Sequence, residues 1–188
     1  MQAQLRSFFY SSVQSTITLL LAGAAAFSTL APVDALFATA LSILLLWLAK
    51  SDLQRFELPD LANLSVGVLG LMWISTQLDP AVGLLHATLR ALAAAACLTA
   101  VKWSYDRIRG IEGLGWGDVK LAAAGAIWLD WPQMPLALLI AAAAGLLVIA
   151  GRGAFSPTPI TASTALPFGA FLAPAIWLVW FAGLINLF

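Results

Sequence analysis

Seven apolar runs, separated by short polar or proline-bearing segments, dominate the chain: residues 11–30, 33–49, 61–74, 81–103, 119–129, 134–150 and 166–187. A helix that crosses a bilayer needs about 20 predominantly apolar residues. The pattern therefore predicts an all-α, polytopic integral membrane protein of about seven transmembrane helices, with six to eight the range the runs allow. The whole of residues 1–188 reads as one membrane-embedded domain with no separate soluble domain. Pro32, Pro59, Pro80, Pro132 and Pro167 fall between runs or at their ends, where the missing N–H of proline costs least. The third and fifth runs are short for a crossing. The fifth carries the weakest signal and reads as a helix in a thinned membrane or one that begins inside a cavity.

Polar positions add an orientation. Arg6 lies before the first run, Lys50 and Arg55 after the second, Lys102, Arg107, Arg109 and Lys120 around the gap after the fourth, and Arg152 after the sixth. The intervening gaps hold Asp34, Asp79 and Asp130 and no Lys or Arg. Basic loops mark the cytoplasmic side. A seven-span arrangement puts every basic gap on that side, the N-terminus inside and the C-terminus outside. The first run follows Arg6 and contains small residues at 22–24, as a signal peptide does. Further apolar runs follow at once, so it reads as the first span.

Composition agrees. Apolar residues make up 62% of the chain, charged residues 10%, against about 45–50% apolar in ordinary soluble proteins. Net charge is zero, so no attraction to nucleic acid is implied. One cysteine, Cys97, and one histidine, His86, rule out an internal disulfide and a Cys- or His-rich metal centre; neither metal nor cofactor is expected. Cys97 reads as a small buried apolar residue. Arg90 and His86 share a helix face within the fourth run. They read either as a contact to substrate or to a buried carboxylate, or as side chains reaching for the outer interface. Residues 104–116 read as the longest polar loop and 151–164 as a flexible linker, while small residues at 91–97 and 141–145 suit close helix packing.

Against this background two aspartates stand out. Asp52 ends the second run, in Lys50-Ser51-Asp52, and Asp118 opens the fifth, in Gly115-Trp116-Gly117-Asp118-Val119-Lys120-Leu121. An ionisable group at membrane depth is costly and reads as functional. Both fall on the cytoplasmic side, so two helices can bring them together. Two carboxylates sharing a site titrate as a coupled pair. One, ionised, can take a proton from water while the other donates to a carbonyl oxygen. Gly115 and Gly117 let a substrate backbone approach closely; the plainer reading is a loop that ends with Asp118 capping a helix. Leu58-Pro59-Asp60 reads as a helix start, with Asp60 structural, Glu57 solvated and Lys120 reaching back to the interface.

These residues resemble the type IV prepilin peptidases, bacterial members of the GxGD aspartyl protease group. Asp52 followed by Leu58-Pro59-Asp60 is similar to the family's first motif. Gly115-Trp116-Gly117-Asp118-Val119-Lys120-Leu121 matches its second in full. Pro167-Phe168-Gly169 resembles the start of its last helix. The resemblance spans residues 33–187. It implies that Asp52 and Asp118 are the catalytic pair. Gly115, Gly117, Lys120, Pro59, Asp60, Pro167, Phe168 and Gly169 then shape the site or bind substrate. It also implies an inner-membrane endopeptidase that removes the short leader of prepilin or pseudopilin precursors at the cytoplasmic face. The chain looks like the short form found with Flp or Tad-type pilus systems, which lacks the zinc-binding N-terminal domain of larger members and argues against a methyltransferase activity. Three other readings compete. A proton-coupled transporter would place acids at mid-membrane on several spans, a non-catalytic component of a pilus or secretion assembly would tolerate loss of either aspartate, and a GxGD protease for other membrane helices would share the chemistry.

Overall fold

A computed structural model of the protein describes residues 31–110, 113–155 and 166–185, with the side chains of 152–155 excepted. Among them the chain forms six helices and no strand: α1 (Pro32–Arg55), α2 (Asp60–Ser75), α3 (Pro80–Arg109), α4 (Trp116–Trp128), α5 (Gln133–Phe155) and α6 (Gly169–Leu184). The first predicted span, 11–30, lies outside the described residues, as does 156–164 of the predicted linker; its first part, 151–155, is the last turn of α5. Helix starts follow the prolines: Pro32 and Pro80 occupy the first turns of α1 and α3, and Pro59 caps α2.

Two boundaries differ from the sequence reading. Helix α3 runs on to Arg109, so the first half of the predicted 104–116 loop is helical. Polar residues there satisfy their own turn, with Lys102 Nζ donating to Asp106 Oδ2 one turn on at 2.9 Å, and Gly110, at φ 67°, closes the helix. Helix α1 likewise continues past Asp52 to Arg55. Phe56, at φ 55°, closes it in the left-handed region, and Ser51 Oγ donates to Glu57 O. Asp52 thus sits one turn inside its helix rather than at the end.

The helices alternate in direction. At one end the last turn of α1 meets the starts of α4 and α6, and Lys120 of α4 reaches Asp60 at the start of α2. At the other end, Trp73 of α2 donates to Asp34 of α1 and Arg90 of α3 reaches the last carbonyls of α4.

Long and short helices divide the work of burial. The segments Pro32–Arg55, Pro80–Arg109 and Gln133–Gly151 are long and apolar enough to cross a membrane. Their outer faces expose Leu36, Ile43, Leu92, Val101, Leu139 and Leu147. Apolar surface this extensive is stable only against lipid, so the protein is an integral membrane protein. Helix α4, with 13 residues, is about 20 Å long, short of the roughly 30 Å hydrocarbon core. It does not need to span alone, because protein surrounds it: Val119, Leu121, Ala122, Ala126 and Trp128 are all buried.

Close approach around α4 depends on missing side chains. A Cβ on Gly70 of α2 would stand 2.8 Å from both Ile127 and the Trp128 indole nitrogen, and one on Gly125 would collide with Ile176 of α6. Trp73, Trp128 and Trp180, from α2, α4 and α6, then pack with ring centroids 5.1–5.5 Å apart. The alanine-rich stretches that the sequence marks for close packing contribute as well, with Ala94 of α3 and Ala141 of α5 buried in the core.

Candidate active site

Asp52 and Asp118 are both buried, at 5% and 8% exposure. Each is held by a backbone N–H at a helix start. Asp52 Oδ2 accepts the Ala170 N–H at 2.8 Å. That amide belongs to the first turn of α6, where unpaired N–H groups and the positive end of the helix dipole favour a carboxylate. Asp118 is the third residue of α4, and its Oδ2 accepts the Gly115 N–H at 3.2 Å. Its other oxygen, Oδ1, is buried and, among the described residues, has no donor within hydrogen-bond geometry.

Gly169 brings the two together. A Cβ at this position would stand 3.1 Å from Asp118 Oδ1 and 3.1 Å from Asp52 Oδ2. The two oxygens are therefore no more than twice that distance apart, facing one another across a residue with no side chain. Pro167 is buried just before it, and Phe168 caps α6 with its carbonyl accepting the Phe171 and Leu172 N–H groups.

Leu58 closes the other side. A Cβ on Gly117 would meet Leu58 Cβ at 2.8 Å, and one on Gly169 would meet Leu58 Cδ1 at 2.6 Å. Pro59, which caps α2, fixes the turn that presents Leu58. Sequence reading passes over Leu58, because a leucine before a helix start carries no chemical signal. Nor can it find the Ala170 amide, since any residue type would supply that donor.

The remaining predicted site residues lie beside the pair rather than in it. Lys120 Nζ donates to Asp60 Oδ1 at 2.6 Å, joining the starts of α4 and α2. Both side chains are well exposed, so the bridge contributes at most about 1 kcal/mol. Glu57 is exposed. Arg90 lies at the far end, where the carboxylate it meets is an exposed one. It donates to Ala126 O and Ile127 O, the orphan carbonyls that end α4, and pairs with exposed Asp130.

Comparison with known proteins gives the arrangement a context. The family model described as the type IV leader peptidase family matches residues 39–150, a stretch that holds both aspartates. The chain belongs to the type IV leader peptidase family. Similar proteins include those named prepilin leader peptidase/N-methyltransferase from Burkholderia pseudomallei, 37% identical over 145 residues (74% of this chain, 44% of the relative), from Aeromonas hydrophila, 34% over 144 residues (74% and 48%), and from Dichelobacter nodosus, 30% over 152 residues (81% and 50%). The chain spans about half the length of these curated relatives. No solved structure matches it. The family match ends before Pro167-Phe168-Gly169, so the third side of the candidate site stands on geometry.

Proposed function

We propose that the chain is a membrane aspartyl endopeptidase that removes the leader from prepilin-like precursors, with Asp52 and Asp118 as the catalytic pair. The observation that carries this reading is the facing of two buried carboxylates across Gly169. The family membership and the names of the relatives supply the substrate class.

The chemistry follows from the pair. Two carboxylates in one low-dielectric pocket hold a proton between them, because ionising both is unfavourable. The ionised member takes a proton from water as the water oxygen bonds to the scissile carbonyl carbon. The protonated member donates to the carbonyl oxygen. Collapse of the tetrahedral intermediate breaks the C–N bond, the departing amine takes up a proton, and the pair returns to its starting state. The Ala170 N–H holds Asp52 in place through this cycle.

On this reading the site faces the cytoplasm across the bacterial inner membrane, since Lys50, Arg55, Lys102, Arg107, Arg109 and Lys120 lie at its end of the bundle. The test is co-expression with a prepilin-like precursor, followed by the gel shift of the precursor. Asp52→Asn and Asp118→Asn, at normal membrane abundance, should each lower cleavage by roughly 10²–10⁴-fold. Wild-type cleavage retained by either variant overturns the assignment of that residue.

A further inference from the structure

Lys102 is a buried lysine that the dyad chemistry does not use. It lies near the end of α3 at 5% exposure. A buried ammonium is costly unless it is paired, and Lys102 has two partners. Its Nζ donates to Asp106 Oδ2 at 2.9 Å and lies over the Trp116 ring, 5.6 Å from the centroid. Asp106 Oδ1 in turn accepts the Gly113 N–H at 3.2 Å. The Tyr105 ring fills the space a side chain on Gly113 would need.

Both ends of this network grip the segment that carries Asp118. Gly113 and Trp116 flank Gly115, whose N–H holds Asp118 Oδ2. Trp116 is itself more than half exposed, and the Lys102 ammonium over its ring ties it to α3. We propose that Lys102 and Asp106 form a positioning clamp that fixes the backbone from Gly113 to Gly117 and thereby sets Asp118 against Asp52. They are positioning residues, acting on Asp118 through the backbone from Gly113 to Gly117. The proposal rests on the peptidase reading above for its kinetic consequence, but not for its structural one.

The substitution Lys102→Met keeps an apolar stem and removes the charge, so it suits a buried site. It should lower kcat for precursor cleavage by about ten- to a hundredfold, the scale of a small misplacement of a catalytic group, with KM within about twofold of wild type. Lys102→Arg, which keeps both the pair with Asp106 and the contact with Trp116, should recover most of the rate. Asp106→Ala should match Lys102→Met, and the double variant should be no worse than either, because one clamp is lost once. Arg107→Gln, on the exposed side of the same turn, should cut as wild type. Amide hydrogen exchange reads the clamp without any substrate: exchange across 113–118 should rise about tenfold or more in Lys102→Met, with the first turn of α6 unchanged. Unchanged exchange across 113–118 overturns the clamp. So does a normal kcat, or a loss confined to KM. If wild type cuts no precursor while exchange rises as expected, the peptidase reading fails and the clamp stands. If Lys102→Met does not accumulate, Asp106→Asn decides by the same exchange measurement, with a smaller rise expected because its amide oxygen still accepts from Gly113.

Discussion

Gly169 shows how much one absent side chain can fix. Its missing Cβ is the space in which Asp52 Oδ2, Asp118 Oδ1 and Leu58 Cδ1 meet. Gly169→Ala should therefore reduce precursor cleavage by about tenfold or more, while the protein still reaches the membrane. Adding Leu58→Ala should recover part of that loss, because it removes the 2.6 Å clash, but not all, because both carboxylate contacts at 3.1 Å remain. Gly117→Ala behaves differently. Its collision at 2.8 Å is with Leu58 Cβ, an atom that Leu58→Ala retains, so the second substitution should give no rescue. Equal rescue of both glycine variants would place Leu58 elsewhere. The two carboxylates were legible in the sequence because charge at the edge of an apolar run is rare and costly. The donors that hold Asp52 were not, because a backbone amide leaves no mark on residue type.

At the scale of elements, sequence legibility follows the solvent each helix meets. The lipid-facing runs are continuous and easily seen, whereas α4 gives a weak signal because its length is set by protein neighbours, not by bilayer thickness. The end of α3 was misread as loop because its polar residues pair within the helix and with the returning chain. Arg90 illustrates what such helices need at depth. It supplies donors to Ala126 O and Ile127 O, where α4 stops with no further turn to satisfy them. Arg90→Met should destabilise the protein by about 1–3 kcal/mol, the cost of buried acceptors left unpaired. Asp130→Asn should cost less than about 1 kcal/mol, since Asp130 is 73% exposed and its pair is surface-like. Thermal unfolding in detergent ranks the two; an equal effect would mean that the ion pair, not the cap, holds α3 to α4. Gly70→Ala, forced against the Trp128 indole at 2.8 Å, should cost about 1–3 kcal/mol by overpacking.

Taken whole, the bundle has two chemically different ends. One gathers Asp52, Asp118 and the basic residues Lys50, Arg55, Lys102 and Lys120; the other carries Asp34, Asp79 and Asp130, with Arg90 turned inward on α4. The charge pattern along the sequence already separated these groups, because alternation of helices converts loop order into sides. What it could not give was the third wall of the site, contributed by α6, whose first turn meets Asp52 over a separation of 118 residues. The charge asymmetry predicts how the molecule sits in its membrane. Basic residues resist transfer across the bilayer, so the end with the two aspartates should face the cytoplasm. Cys97 is the one native cysteine and, contrary to the burial its apolar run suggests, is exposed, so Cys97→Ala gives a clean background for labelling. In that background Glu57→Cys, in the turn beside Asp52, should resist a membrane-impermeant maleimide in spheroplasts and react after permeabilisation. Gln77→Cys, in the turn between α2 and α3, should react in both. The reverse pattern would put the carboxylates on the outer face, where a precursor whose leader remains in the cytoplasm cannot reach them, and the leader-removal reading would fail even with the dyad chemistry intact.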